Sequence, residues 1–171
     1  MHTPTVDETV QARLILSTHR SARLRVTLSY RPDDPLAVRM AFPAEFSLDE
    51  RGDDGRGNGL GDGPAGAPGD APADGPGDGP DPDGGRDIVW VFARHLLAAG
   101  LELPAGLGDV HIRPATGRRT MVELRAPEGT ALIQFDSTDL RRFLWRSRVV
   151  VPDGEEHLFL DPDRALAELL G

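Results

Sequence analysis

A stretch of 36 residues in the middle of the chain sets the terms for everything else. Residues 51–86 hold 13 Gly and 6 Pro, and Leu60 is their only larger aliphatic side chain. Eight Asp against Arg51, Arg56 and Arg86 give this stretch −5 of the chain's total of −9. A segment so poor in apolar atoms cannot offset the entropy of ordering it. It reads as a disordered acidic insert within one domain spanning residues 1–171, because structured sequence lies on both sides. A loop of this length is tolerated, since closure entropy grows slowly with length.

The flanks carry the fold. Ala22, Leu24, Val26, Leu28 and Tyr30 alternate with Arg23, Arg25, Thr27 and Ser29, the period of a strand with one buried and one wet face. Val10, Ala12, Leu14 and Leu16 mark a strand before it, and Val38, Met40 and Phe42 one after it. Beyond the insert, Ile88–Phe92 reads as a strand running into a short helix over 93–99, with Gly100 expected at its C′ position. Three strands follow over 110–113, 121–125 and 131–135. Two helices finish the chain. Ser137 is expected to cap the first, with Leu140, Phe143 and Leu144 on its core face. Asp161 caps the second, with Pro162 at N1 and Leu166, Leu169 and Leu170 as an apolar stripe. The expected class is α+β, with antiparallel sheets of about seven strands and three helices.

No arrangement of residues for catalysis is found. His2, His19, His95, His111 and His157 make no tight ligand spacing. His111 falls on the wet face of its strand. Gly106-Leu107-Gly108 lacks the third glycine and the helix of a dinucleotide site. With Gly84 placed as the central glycine of a calcium loop, position twelve falls on Trp90 instead of a bidentate Glu. No cysteine is present, which excludes disulfides and thiolate metal sites. No catalytic residue, cofactor or metal is assigned. The N-terminal residues do not read as a secretory signal, and no apolar run approaches a bilayer span. The expectation is a cytoplasmic protein without direct membrane insertion.

Two features suggest contact with a partner. Arg141, Arg142, Arg146 and Arg148 cluster in the penultimate helix, which fits either an anionic partner or pairing with the chain's own carboxylates. Trp145 lies among them. Core packing is the expected role, and interface anchoring the role if it lies on the helix edge. Trp90 is expected in the core. The acidic net charge opposes non-specific nucleic-acid binding.

Three segments carry a family resemblance. The first is Tyr30, then Asp34-Pro35-Leu36-Ala37-Val38, then Phe42. The second is Trp90-Val91-Phe92-Ala93-Arg94-His95-Leu96-Leu97-Ala98-Ala99-Gly100-Leu101, continued by Pro104, Gly106 and Gly108-Asp109-Val110. The third is Phe143-Leu144, Val151-Pro152, Gly154-Glu155 and Leu160-Asp161 with the leucines that follow. Together they resemble the SsgA-like proteins, sporulation and cell-division regulators of filamentous actinobacteria. The resemblance implies a whirly-like architecture and a non-enzymatic adaptor recruited to the division septum. It implies partners among cell-division proteins of the FtsZ type and other SsgA-like proteins, with no nucleic acid, and assembly as a homotrimer. The alternative is a single-stranded nucleic-acid-binding module of the same architecture. The insert at 51–86 is absent from typical members.

Overall fold

β1 (Val6–Ser17) and β2 (Arg20–Arg31) pair antiparallel along nearly their whole length, from Val6 opposite Tyr30 to Ser17 opposite Arg20. The alternation of β2 sends Ala22, Leu24, Val26, Leu28 and Tyr30 to one face, where all are buried. β3 (Asp34–Phe42) pairs with β2, and β4 (Ile88–Ala93) with β3. On the other side of β1 come β7 (Gly129–Asp136), β6 (Arg119–Ala126) and β5 (Val110–Ala115). The seven strands form one antiparallel sheet in the order β4-β3-β2-β1-β7-β6-β5. Separate sheets do not form, because Ala12–Ile15 of β1 pair with Leu132–Phe135 of β7 and join the two halves of the chain.

This computed structural model describes residues 4–43 and 87–170, apart from the side chains of residues 164, 165, 168 and 169. The expected insert at 51–86 lies outside the described residues.

Among the described residues, three α-helices and one 3-10 turn complete the fold. α1 is Arg94–Gly100, α2 is Ser137–Val150 and α3 is Pro162–Leu170, with the 3-10 turn at Glu156–Leu158. α2 lies on the apolar face of the sheet with Leu140, Phe143, Leu144 and Ser147 buried. The core runs from Val6, Val26 and Leu28 through Val38 and Met40 to Ile112, Leu124, Phe135 and Phe143. Trp90 is half-buried and packs against the rim of this cluster instead of its centre. β4 is an edge strand, so one side of the indole has no neighbouring strand to cover it.

Several local expectations are corrected. Gly100 is the last residue of α1, not a left-handed cap, and Leu101 ends the helix in right-handed geometry. The glycine is required because α1 presses on β5: a Cβ there would lie 2.4 Å from both Cβ and Cγ2 of Ile112. In the β5–β6 turn, by contrast, Gly117 does take a positive φ of 69°, as a tight hairpin needs. The N-cap of α2 is Asp136, whose Oδ1 accepts from Thr138 N at 2.9 Å. Ser137 instead shares a 2.7 Å hydroxyl hydrogen bond with Thr120. Asp161 does cap α3, accepting from Asp163 N at 3.1 Å. Leu166 and Leu170 are exposed, so these members of the α3 stripe do not reach the core. His111 is half-buried, opposite Glu123, instead of fully on a wet face.

The Asp136 cap has a measurable signature. The Thr138 N–H holds its carboxyl below the ordinary value of 3.8, helped by Arg119 and Arg118. Asp136→Ala is expected to cost about 1 kcal/mol in urea unfolding near neutral pH. A carboxyl lowered by folding contributes its full stability above its unfolded pKa and loses it as pH falls through the lower folded value. The gap between wild type and variant should therefore close in acid. A gap that stays constant down to low pH would show that the ionised carboxylate is not what caps the helix.

Candidate functional site

Arg94, the first residue of α1, is only 3% exposed. One nitrogen, Nη1, donates to Val151 O at 2.7 Å and to Ser147 O at 3.3 Å. The other, Nη2, donates to Glu156 Oε1 at 2.5 Å and lies 3.5 Å from Asp153 Oδ1. The guanidinium stands 4.9 Å from the centre of the Tyr30 ring, within cation–π range. Tyr30 donates its phenol hydrogen to Pro35 O at 3.0 Å, and burial pushes its pKa up to about 12. The Glu156 carboxyl is held below its ordinary range, first by its own backbone N–H and then by Arg94. A planar fork of donors is what allows one side chain to meet two carbonyls and a carboxylate together. Arg94 thus ties β2, the end of α2 and the 3-10 turn into one unit.

A cleft of about 400 Å³ beside this cluster is lined by Leu36, His95, Ala98, Arg148 and Gly154. Its buried polar groups are occupied with one another, since Arg94 answers Asp153 and Glu156. Among the described residues, no group of three His, Asp or Glu side chains could hold a metal ion. No described helix is long and apolar enough to cross a membrane.

The four candidate arginines of α2 are all ion-paired within the chain. Arg141 donates to Glu102 at 2.6 Å and Arg148 to Asp153 at 2.6 Å. Arg142 meets Glu8 at 2.5 Å and Asp139 at 3.0 Å, and Arg146 reaches Glu8 at 3.5 Å. Glu8 falls in phase with Val6 and Val10 on the helix-facing side of β1, and its side chain is 8% exposed. It therefore fastens two successive turns of α2 to the sheet. The four arginine side chains keep roughly half their surface open to solvent, so pairing does not remove them from the surface.

Trp145 is not in the core. It is 65% exposed, as is Val149 one turn further on. The core side of α2 is filled by Leu140, Phe143, Leu144 and Ser147, which leaves Trp145 on the outer side between the arginines. The structure thus brings Arg141, Arg142, Trp145, Arg146 and Arg148 onto one exposed helix with an apolar centre.

Sequence reading missed two tying residues. Glu8 was visible in principle as a carboxylate in phase with buried valines. Arg94 carries no such signal, because its partners lie more than fifty positions away.

The sheet, the helices on its apolar face and the buried arginine tie define an α+β scaffold. A family model described as the Streptomyces sporulation and cell division protein SsgA matches residues 80–156. The chain is 34% identical to the sporulation-specific cell division protein SsgB of Salinispora tropica over 97% of its own length and 93% of that protein's. It is 45% identical to SsgB of Kineococcus radiotolerans over 92 residues, or 51% of this chain, and spans 56% of that relative's length. A solved structure of an SsgA-like sporulation-specific cell division protein from Thermobifida fusca superposes with a TM-score of 0.66 at 26% identity. That match covers 98% of this chain and 96% of the other. The chain belongs to the SsgA-like family of sporulation and cell division proteins.

Proposed function

We propose that this protein is a non-enzymatic septation adaptor that binds division proteins of the FtsZ type and places them at future septa. The supporting observation is the outer side of α2, where Trp145 and Val149 stand exposed between arginines. An exposed Trp flanked by Arg is the composition that dominates protein interfaces. The relatives' names place those proteins in sporulation-specific cell division. Binding other SsgA-like chains and forming a homotrimer would multiply weak contacts into avidity.

The nucleic-acid alternative finds little support. The aromatic side chains of the described strands, Tyr30, Phe42, Trp90, Phe92 and Phe135, all stand on the helix-covered side of the sheet. Base stacking needs such rings on an open surface.

Trp145→Ala tests the proposal. Because the indole is exposed, unfolding free energy should change by no more than about 0.5 kcal/mol. A fluorescent fusion of the wild type should form regular ladders at septa in sporulating hyphae, and the variant should be diffuse. A variant that still forms sharp ladders would remove Trp145 from the contact. A wild type with no septal enrichment would refute the adaptor role.

A further inference from the structure

The sheet has a second face, which α2 does not cover. The period of two that buries Ala12, Leu24 and Phe135 sends Arg13, Arg23, Arg25 and Gln134 to this open side. Arg13 lies directly opposite Arg23 in the β1–β2 register, and opposite Gln134 on β7. Like charges facing each other across a strand pair are destabilising. Yet Arg13, Arg23 and Arg25 form no ion pair among the described residues. Arg119 of β6 joins them. Gln11, Arg13, Arg23, Arg119 and Gln134 line one open basin of about 440 Å³. Elsewhere on this face Arg39 and Arg125 are answered by Asp34 at 2.9 Å and Glu123 at 2.7 Å. The basin arginines thus make no ion pair among the described residues, although Asp136 stands opposite Arg119 in the β6–β7 register, and the chain as a whole carries a net charge of −9.

We propose that this basin docks an acidic peptide segment, with Asp or Glu carboxylates held by the forked donors of Arg13, Arg23 and Arg119. The guanidinium fork matches a carboxylate in two parallel hydrogen bonds. Gln11 and Gln134 add amide donors and acceptors suited to a peptide backbone. Charge complementarity selects the occupant in two steps. No aromatic ring of the described strands stands on this side to stack a base, which disfavours single-stranded nucleic acid. A long polyanion also meets the repulsion of the whole acidic chain, while a short acidic peptide meets mainly the local positive field. This surface is separate from the outer side of α2, so its test does not depend on septal placement.

Fluorescence anisotropy of a labelled oligo-aspartate peptide with the purified full chain tests the proposal. Wild type should bind saturably at low salt and weaken as salt is added. Arg23→Glu should fold normally, because it sets a carboxylate opposite Arg13, and should lower affinity by about tenfold or more. Arg23→Lys keeps the charge without the fork and should lose only part of the affinity. Arg125→Glu makes the same change in net charge outside the basin and should stay within about twofold of wild type. Equal losses in Arg23→Glu and Arg125→Glu would reduce the effect to overall charge and overturn the proposal. So would the absence of binding at low salt. A single-stranded oligonucleotide of equal charge, or vesicles containing anionic phospholipid, binding more tightly than the peptide would also overturn it.

Discussion

Replacing Arg94 with methionine is expected to destabilise the protein by about 3 kcal/mol and to free the segment after α2 from the sheet. The side chain is almost wholly buried, and its donors answer Val151 O, Ser147 O and the Glu156 carboxylate. Removing one member of a buried ionic cluster costs roughly 3–5 kcal/mol, because the remaining groups stay desolvated without their partner. The lower end applies here for two reasons. Ser147 O still accepts from Val151 N at 2.9 Å. Glu156 retains Gly154 N at 2.7 Å and is part-exposed, so water can reach it. Arg94→Lys should recover only part of the loss, since one ammonium cannot span a carbonyl and a carboxylate on opposite sides. Urea unfolding gives the magnitude, and limited proteolysis beyond Val151 reports the local release. A change under about 1 kcal/mol would show that the network contributes no more than one ordinary hydrogen bond.

Gly100→Ala carries the second large effect, and its sign is the test. Helix propensity alone favours Ala over Gly by about 1 kcal/mol. The added methyl, however, would stand 2.4 Å from two carbons of Ile112 and 3.0 Å from its carbonyl oxygen. Carbon atoms pack at roughly 3.5–4 Å, so α1 and β5 would have to separate by about an ångström. Overpacking of a dense core costs roughly 1–3 kcal/mol, and backbone and Cβ atoms cannot rotate away. The clash outweighs propensity, and a net loss of about 2 kcal/mol is expected. Ile112→Ala in the same chain should relieve only the Cγ2 contact, because the Cβ of residue 112 is itself one of the clashing atoms. A raised melting temperature in Gly100→Ala would mean that α1 stands further from β5 than the structure has it.

Both positions lie within the segment from Trp90 to Leu101 that carried the family resemblance most specifically, and neither role could be read from it. Gly100 ends an apolar helical run, where a left-handed cap is the usual reason for glycine. The actual reason is close approach to β5, which is a fact about a residue twelve positions later. Arg94 reads as a polar residue at a strand–helix junction, where solvent exposure is the ordinary expectation. Its burial follows only when the turn at Asp153–Glu156 folds back over it.

The same division runs through the candidate surface. The inward set on α2, Leu140, Phe143 and Leu144, was legible because a helix repeats every 3.6 residues and its apolar positions mark one stripe. That stripe leaves Trp145 outside it, but a tryptophan among apolar neighbours reads as core until packing shows the core already filled. Pairing of the α2 arginines was only half legible. Asp139 lies in the same helix, whereas Glu8 comes from β1 and Glu102 and Asp153 from turns after α1 and α2.

The sequence by itself determined the element types, their order and the faces of the strands, because periodicity is a property of neighbouring residues. Only the tertiary structure decided that β1 and β7 join the strands into one sheet, that Gly100 and Arg94 hold α1 in place, and that a basin of arginines without ion pairs stands on the open face. Each of these depends on which distant residues become neighbours. Local sequence carries no information about that until the chain has closed on itself.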